Sequence, residues 1–457
     1  MCFASGKREP GNGYSENAQS IPETVHWRAP QLDRMNTAKS LLYKRLGLAV
    51  GAGLLVRAIL IAVAWSQRGT AAFRVPDSYS YLNLAARLVA GKGFVDQWDL
   101  PEMFRTPAYP LLLSGGFAMG HPVFFTLVTQ SLMMVGIIAL TFSIVRTVLR
   151  DERLAGLCAI VVALEPTTLT WSMRVMPETA LTLCLVAFAY STLRAIESTH
   201  STWIVTAAAM LCAAAYVKPI AYPLVFIICI AAVLTRPRVA LLFVLTCAVL
   251  LTPWIVRNHR AGYGGFSTLM ARAVYVSAGA SVVAQREHRP YEDVREELQQ
   301  RADVRGPTAD PKRYAREGVS LVASDPIGYA KTHVKGMLRT LFDPGATEYL
   351  RMFGLYSEGG GAMMASGGVR KTARAYPIPF WSSIALAILL APLVILPFIA
   401  AYRSTGAAFF LLAIIAGYLV FAGGGVPGYS RFRAPAVPFL IVMSAVAFAR
   451  RKVDCRK

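Results

Sequence analysis

Three stretches of this chain run for the length of a bilayer core with almost no charge: residues 46–66, 124–145 and 380–402. A hydrocarbon core about 30 Å thick is crossed by roughly 20 helical residues. The 457 residues are 55% hydrophobic and the mean hydropathy is +0.46, above what a soluble chain of this size usually carries. The expected class is an all-α polytopic membrane protein. Ten spans are expected, near residues 46–66, 122–147, 154–171, 179–195, 202–217, 219–235, 238–256, 378–402, 405–423 and 432–449.

Lysine and arginine in short loops set orientation. Drawn with ten spans, Lys44, Arg45, Arg146, Arg150, Arg153, Arg194, Arg236, Arg238, Arg403, Arg450, Arg451 and Lys452 share one side with both termini. That side is expected to be cytoplasmic, and the opposite face then carries two large loops, 67–121 and 257–377. The net charge of +21 fits this bias and an attraction to anionic headgroups. The basic residues form no aromatic-interleaved stripe, so nucleic acid is not an expected partner.

Four regions follow: a mobile cytoplasmic tail over 1–40 without a signal-peptide cleavage pattern, a transmembrane module over 41–256 that includes the loop 67–121, a loop region over 257–377, and the last helices with a basic tail over 378–457. From Asp77 onward, apolar residues at Tyr81, Leu84, Ala85, Leu88 and Val89 recur at helical spacing, which predicts an amphipathic helix on the membrane surface. "PAYPLLLSGGFAMG" reads as a second juxtamembrane helix. "EDVREELQQRAD" and "AREGVSLVASDPIGYAKTHVKGMLRTLF" predict amphipathic helices, and "EGGGAMMASGGVRK" a hinge or lid. Cys158, Cys184, Cys212, Cys229 and Cys247 lie in apolar runs and Cys2 and Cys455 in the tails, with no zinc or disulfide spacing.

The chemistry is sought among ionisable residues at span ends. Asp77 stands where the chain leaves the first span; it is either a cap of the following helix or a general base at the lipid–water boundary. Glu178 is expected on the same face, free to pair with Arg174 four residues earlier or to share a cleft with Asp77. Glu165 lies within an apolar run, where an acid is a functional candidate by default, or a partner for Arg57 in the first span. Arg105, Arg257, Arg431 and Arg433 all fall on the face where positive residues are disfavoured. Snorkelling accounts for one arginine at a helix end; four beside two acids point to a bound anion, and the planar guanidinium suits phosphate.

"PDSYSYLNLAARLVAGKGF…FRTPAYPLLLSG", "RVMPETALTLCLVAFAY", "PWIVRN", "DPIGYAKTHVKGMLRTLF" and "YSRFRAPAVPFL" occur in that order. Over about residues 45–450 the chain thereby resembles bacterial GT-C glycosyltransferases, in the protein O-mannosyltransferase branch that includes the aminoarabinose lipid A transferase. The resemblance implies transfer of a sugar from a polyprenyl monophosphate on the outer face. It implies Asp77 and Glu178 as the catalytic acids and Arg105 as the basic residue before the turn; by their placement and chemistry Arg257, Arg431, Arg433 and Arg174 with Tyr79, Tyr81 and Tyr109 are the further candidates for the donor phosphate and substrate. The family's doubled proline is here Thr106-Pro107. No cofactor is expected: the lipid-linked sugar is a substrate, arginines stand where a metal would, and the six histidines are scattered, with His259 beside Arg257 the one of interest. The expected partners are the bilayer, the donor, and a glycan, lipid or protein acceptor. A polymerase or ligase of diphosphate-linked glycans lacks an acid directly after its first span. A lipid-linked sugar transporter calls for polar residues through the bilayer centre, where Glu165 and Lys218 are among the few.

Overall fold

A computed structural model describes residues 29–198, 200–302, 309–356, 369–401, 406–425 and 428–449. Among these, the only isolated β-bridge is between Val95 and Pro101, and the regular structure is otherwise helical, as expected for the class. Six helices are long and apolar enough to cross a membrane: Tyr43–Phe73, Pro122–Leu149, Glu178–Ser198, Pro237–Arg260, Pro377–Ala401 and Ser430–Phe448. A seventh crossing arises if Glu152–Leu164 and Pro166–Ser172, bent by 52° at their junction, count as one. The bend has a local cause. Pro166 has no N–H to give to the preceding turn, and the Glu165 carboxylate takes the Thr168 N–H at 2.6 Å, starting a new helix.

The three remaining expected spans form helices of 17 residues or fewer, Ser201–Val217, Pro219–Thr235 and Ala407–Ala422. All ten expected segments are thus helical, and only six or seven reach spanning length. The first helix begins at Ala29, so the last part of the segment read as a mobile tail is helical. Contacts group residues 45–457 into one compact unit and set 1–44 apart.

Burial ranks the helices. In the first span 17% of the apolar window is buried, in the last 83%, so Ser430–Phe448 is the hub on which the others pack. The two large loops are themselves helical. Pro76–Val89 and Ala108–Ala118 come from the first. The second supplies Leu269–Arg272, a π-helical turn at Ala273–Gly279, Ala280–Arg286, Tyr291–Ala302, Pro311–Ser324, Pro326–Phe342 and Ala346–Met352. Part of it has a small core of its own in which Tyr275, Val294, Leu298 and Tyr314 are buried together. The glycine-rich stretch 358–371, read as a hinge, lies for the most part outside the described residues.

Candidate active site

Proline at the first position suits a helix start, and Pro76 opens the Pro76–Val89 helix with Val75 donating its N–H to Ser78 Oγ at 2.9 Å. The Ser78 hydroxyl thus takes the capping role and Asp77 is left free in the first turn. Its carboxylate turns to two arginines. Oδ1 accepts from Arg105 Nη2 at 3.1 Å and Oδ2 from Arg431 Nη1 at 2.7 Å.

Arg105 is locked by its surroundings. Nη1 donates to Tyr81 Oη at 2.9 Å, Nε to Ser80 Oγ at 3.2 Å, and the guanidinium lies 4.3 Å from the Tyr81 ring centre. Arg431 enters from the first turn of the last helix and donates Nε to Glu178 Oε1 at 2.5 Å. Glu178 is the first residue of its own helix, where a negative charge meets the positive end of the helix dipole. The same Oε1 accepts from Lys218 Nζ at 2.9 Å, and Oε2 is buried with no hydrogen-bond partner among the described residues.

Asp77, Glu178, Arg105, Arg431 and Lys218 therefore form one connected cluster drawn from five elements, all at helix ends or in the adjoining loop. Two carboxylates face three cations, so the cluster carries an excess positive charge. Four of the five side chains are nearly closed off, and Asp77 remains 40% exposed. Burial alone raises a carboxyl pKa, yet the Arg431 and Arg105 cations outweigh it and hold Asp77 well below the usual carboxylate range.

Not every expected site residue joins the cluster. Tyr81 and Tyr109 are buried with ring centres 5.2 Å apart, edge to face, and the Tyr109 hydroxyl has no partner among the described residues. Tyr79 faces outward and is 59% exposed. Arg174 does not pair with Glu178; it binds the carbonyls of Ala72 and Glu348 at 2.5 and 2.7 Å. Arg257 donates to the carbonyls of Glu102 and Phe94 at 2.5 and 2.9 Å, tying the first large loop to its helix. Arg433 binds the carbonyls of Leu341 and Asp343 at 2.6 and 2.8 Å and Thr167 Oγ1 at 2.6 Å.

The Arg57–Glu165 pair is not formed either. Arg57 donates to Ser131 Oγ at 2.7 Å and to the Ser172 carbonyl at 2.6 Å, while Glu165 lies 3.9 Å from Arg433. His259 is exposed and apart from the cluster. Among the described residues no group of three or more His, Cys, Asp or Glu could hold a metal ion. Lys218 is the member that sequence reasoning assigned to a transport path. Its signal was present: a lysine set in the apolar run "AAAYVKPIAYP", where an ionisable group needs a partner.

Beside the cluster lies a cavity of about 370 Å³. Ser80 and Arg105 form the part nearest Asp77, and residues of 96–104, 261–268 and 309–314 form the walls. The walls are stitched together: Thr268 N donates to Met103 O at 2.9 Å and Ser267 Oγ to Phe104 O at 2.8 Å.

Comparison with known proteins bears on this arrangement. Residues 104–256 match the dolichyl-phosphate-mannose-protein mannosyltransferase family. The match covers about a third of the chain and bears out the resemblance seen in the sequence. It takes in Arg105, Glu178 and Lys218, while Asp77 and Arg431 lie outside it. No curated protein matches the chain. Among solved structures it is similar to the oligosaccharyltransferase AglB of the archaeon Archaeoglobus fulgidus in complex with an inhibitory peptide and a dolichol-phosphate, at 13% identity and a TM-score of 0.46, over 86% of this chain and 50% of that one. It is also similar to ArnT from Cupriavidus metallidurans bound to undecaprenyl phosphate, at 14% identity and a TM-score of 0.38, over 87% of this chain and 77% of that one. The chain thus spans about half the length of AglB.

Proposed function

We propose that this chain is a membrane glycosyltransferase that moves a sugar from a polyprenyl-phosphate donor to a lipid, glycan or protein acceptor at the outer face of the bacterial inner membrane. The observation that carries the reading is the Asp77–Arg105–Arg431–Glu178–Lys218 cluster, with its excess cation at the ends of apolar helices. A lipid monophosphate presents its anion at that depth, and the family match over residues 104–256 supports the same donor class.

In the reaction an acceptor oxygen attacks the anomeric carbon, and the bond from that carbon to the phosphate oxygen breaks with its electron pair going to the phosphate. One displacement inverts the anomeric centre. The acceptor hydroxyl proton passes to the Asp77 carboxylate. Arg105 and Arg431 hold the phosphate as charge develops on it, and Glu178 with Lys218 keeps Arg431 aimed.

A carboxylate held well below its usual range is a weak base. The donor answers this: a phosphate that takes up hydrogen bonds from Arg105 and Arg431 loosens their hold on Asp77 and lifts its pKa. The base is armed only when the donor is present. In lipid nanodiscs supplied with polyprenyl-phosphate sugars, Asp77→Asn is expected to lower release of polyprenyl phosphate at least a hundredfold while a cooperative thermal unfolding transition is retained. Full release by that variant would overturn the assignment.

A further inference from the structure

We infer that the cavity beside Arg105 holds the acceptor, and that the acceptor is the non-anionic, hydroxyl-bearing end of a glycan; this rests on the glycosyltransferase reading above. Its volume of about 370 Å³ falls within the roughly 300–1,000 Å³ of small-molecule sites. A chain end fits such a space and a folded protein surface does not.

Its position fits an acceptor. Arg105 belongs both to the cavity wall and to the cluster, and Ser80, also on the wall, accepts from Arg105 Nε at 3.2 Å. Ser80 Oγ donates to the Asp77 carbonyl at 2.8 Å, and Arg105 meets the Asp77 carboxylate. A hydroxyl at the inner end of the cavity is brought to Ser80 and Arg105, the wall residues through which the cavity adjoins the proposed base.

The lining selects the chemistry. Trp98, 40% exposed, and Tyr263 both line the cavity. Aromatic faces pack the apolar side of a sugar ring while leaving its hydroxyls free for polar groups. Asn83 and Gln97 add amides, which both donate and accept.

The carboxylates set the charge. Asp96 Oδ1 accepts the N–H groups of Trp98 and Leu100 at 2.9 and 3.0 Å, and Glu102 Oε1 those of Phe104 and Arg105 at 2.5 and 3.0 Å. These two carboxylates outnumber Arg105, the one cation on the wall among the described residues, which is already paired with Asp77, so the wall disfavours a phosphorylated acceptor and welcomes hydroxyl or ammonium donors. The enclosure is built before any ligand arrives, because Arg257 clamps the carbonyls of Phe94 and Glu102.

The test uses the full chain in nanodiscs. Tryptophan fluorescence is titrated with chitotriose, mannotriose, a mannose-6-phosphate-terminated trisaccharide and a serine- and threonine-rich peptide. A neutral trisaccharide is expected to give saturable quenching that is absent in Trp98→Phe. By direct calorimetric binding its affinity should fall at least tenfold in Trp98→Ala and in Gln97→Ala, while affinity for polyprenyl-phosphate sugar stays within twofold of wild type. Saturation by the peptide or the phosphorylated glycan alone, no binding of either neutral trisaccharide, or unchanged glycan affinity in Trp98→Ala overturns the proposal. These outcomes are separate from failure of the glycosyltransferase reading, which shows as no release of polyprenyl phosphate by the wild type from any donor supplied.

Discussion

Asp77 bonds two arginines from opposite directions, and this fixes how the site answers to pH. Its folded-state pKa lies below the ordinary carboxylate value, because Arg431 and Arg105 outweigh the effect of burial. A depressed folded pKa contributes stability that is fully present above the unfolded value of about 4 and is lost as pH falls through the folded one. The loss of stability caused by Asp77→Asn should therefore be constant from pH 8 to pH 5 and shrink below pH 4. Thermal unfolding of both proteins across that range checks it; a difference that shrinks between pH 8 and 6 would show that Asp77 titrates near neutrality. At this scale the sequence was readable where an ionisable group sits at the edge of an apolar run. Asp77, Glu178, Arg105 and Arg431 stand out for that reason, and the structure joins them. What spacing does not show is whether a guanidinium meets a carboxylate or a main-chain carbonyl. Arg174, Arg257 and Arg433 look the same as Arg431 in the sequence, yet they bind carbonyls.

Arg431 is only as well aimed as the turn that carries it. The Ser430 N–H is held by Asp343 Oδ2 at 2.7 Å, and Arg433 grips the carbonyls of Leu341 and Asp343. Both anchors come from the end of the Pro326–Phe342 helix. That helix approaches Gly425 so closely that a Cβ on Gly336 would lie 1.9 Å from the Gly425 carbonyl oxygen. Forcing even one methyl into such a seam costs about 1–3 kcal/mol, and the shift is passed to the turn bearing Arg431. Gly336→Ala is expected to lower the thermal unfolding midpoint and to cut turnover at least tenfold, since displacements of about 1 Å can cost a hundredfold. Gly417→Ala, where an added Cβ meets nothing within 4 Å, serves as the control and should change neither. Equal behaviour of the two variants would remove the seam from the account. The Pro326–Phe342 helix was legible from its amphipathic period. The seam was not, because contact between two glycine backbones leaves no pattern in either segment alone. The 52° break at Pro166 was hidden for a related reason: an apolar run reads as continuous until the partner of its buried acid is known.

The cluster residues come from positions 77 to 431 and meet at one end of the helices, which ties the chemistry to the orientation of the entire chain. Glu178 opens the helix whose last turns carry Arg194, and Arg257 closes the helix that begins beside Arg236 and Arg238. The site ends of these helices are thus opposite the ends that carry Arg194, Arg236 and Arg238. In the orientation we propose, the positive-inside bias puts the Arg194, Arg236 and Arg238 ends in the cytoplasm, and a donor headgroup reaching Asp77 stands in the outer leaflet. Native Cys2 and Cys455 and an introduced cysteine at the exposed Lys92 make the arrangement measurable. With a membrane-impermeant maleimide on intact spheroplasts, Lys92→Cys is expected to label at once, and Cys2 and Cys455 only after permeabilisation. Labelling of Cys2 and Cys455 from opposite sides would mean an odd number of crossings, so that either one of the ten expected segments does not span or the Ala108–Ala118 helix does. Labelling of both tails from outside with protection at position 92 would move the cluster to the cytoplasmic face, and a donor presented from the outer leaflet would have no site to reach.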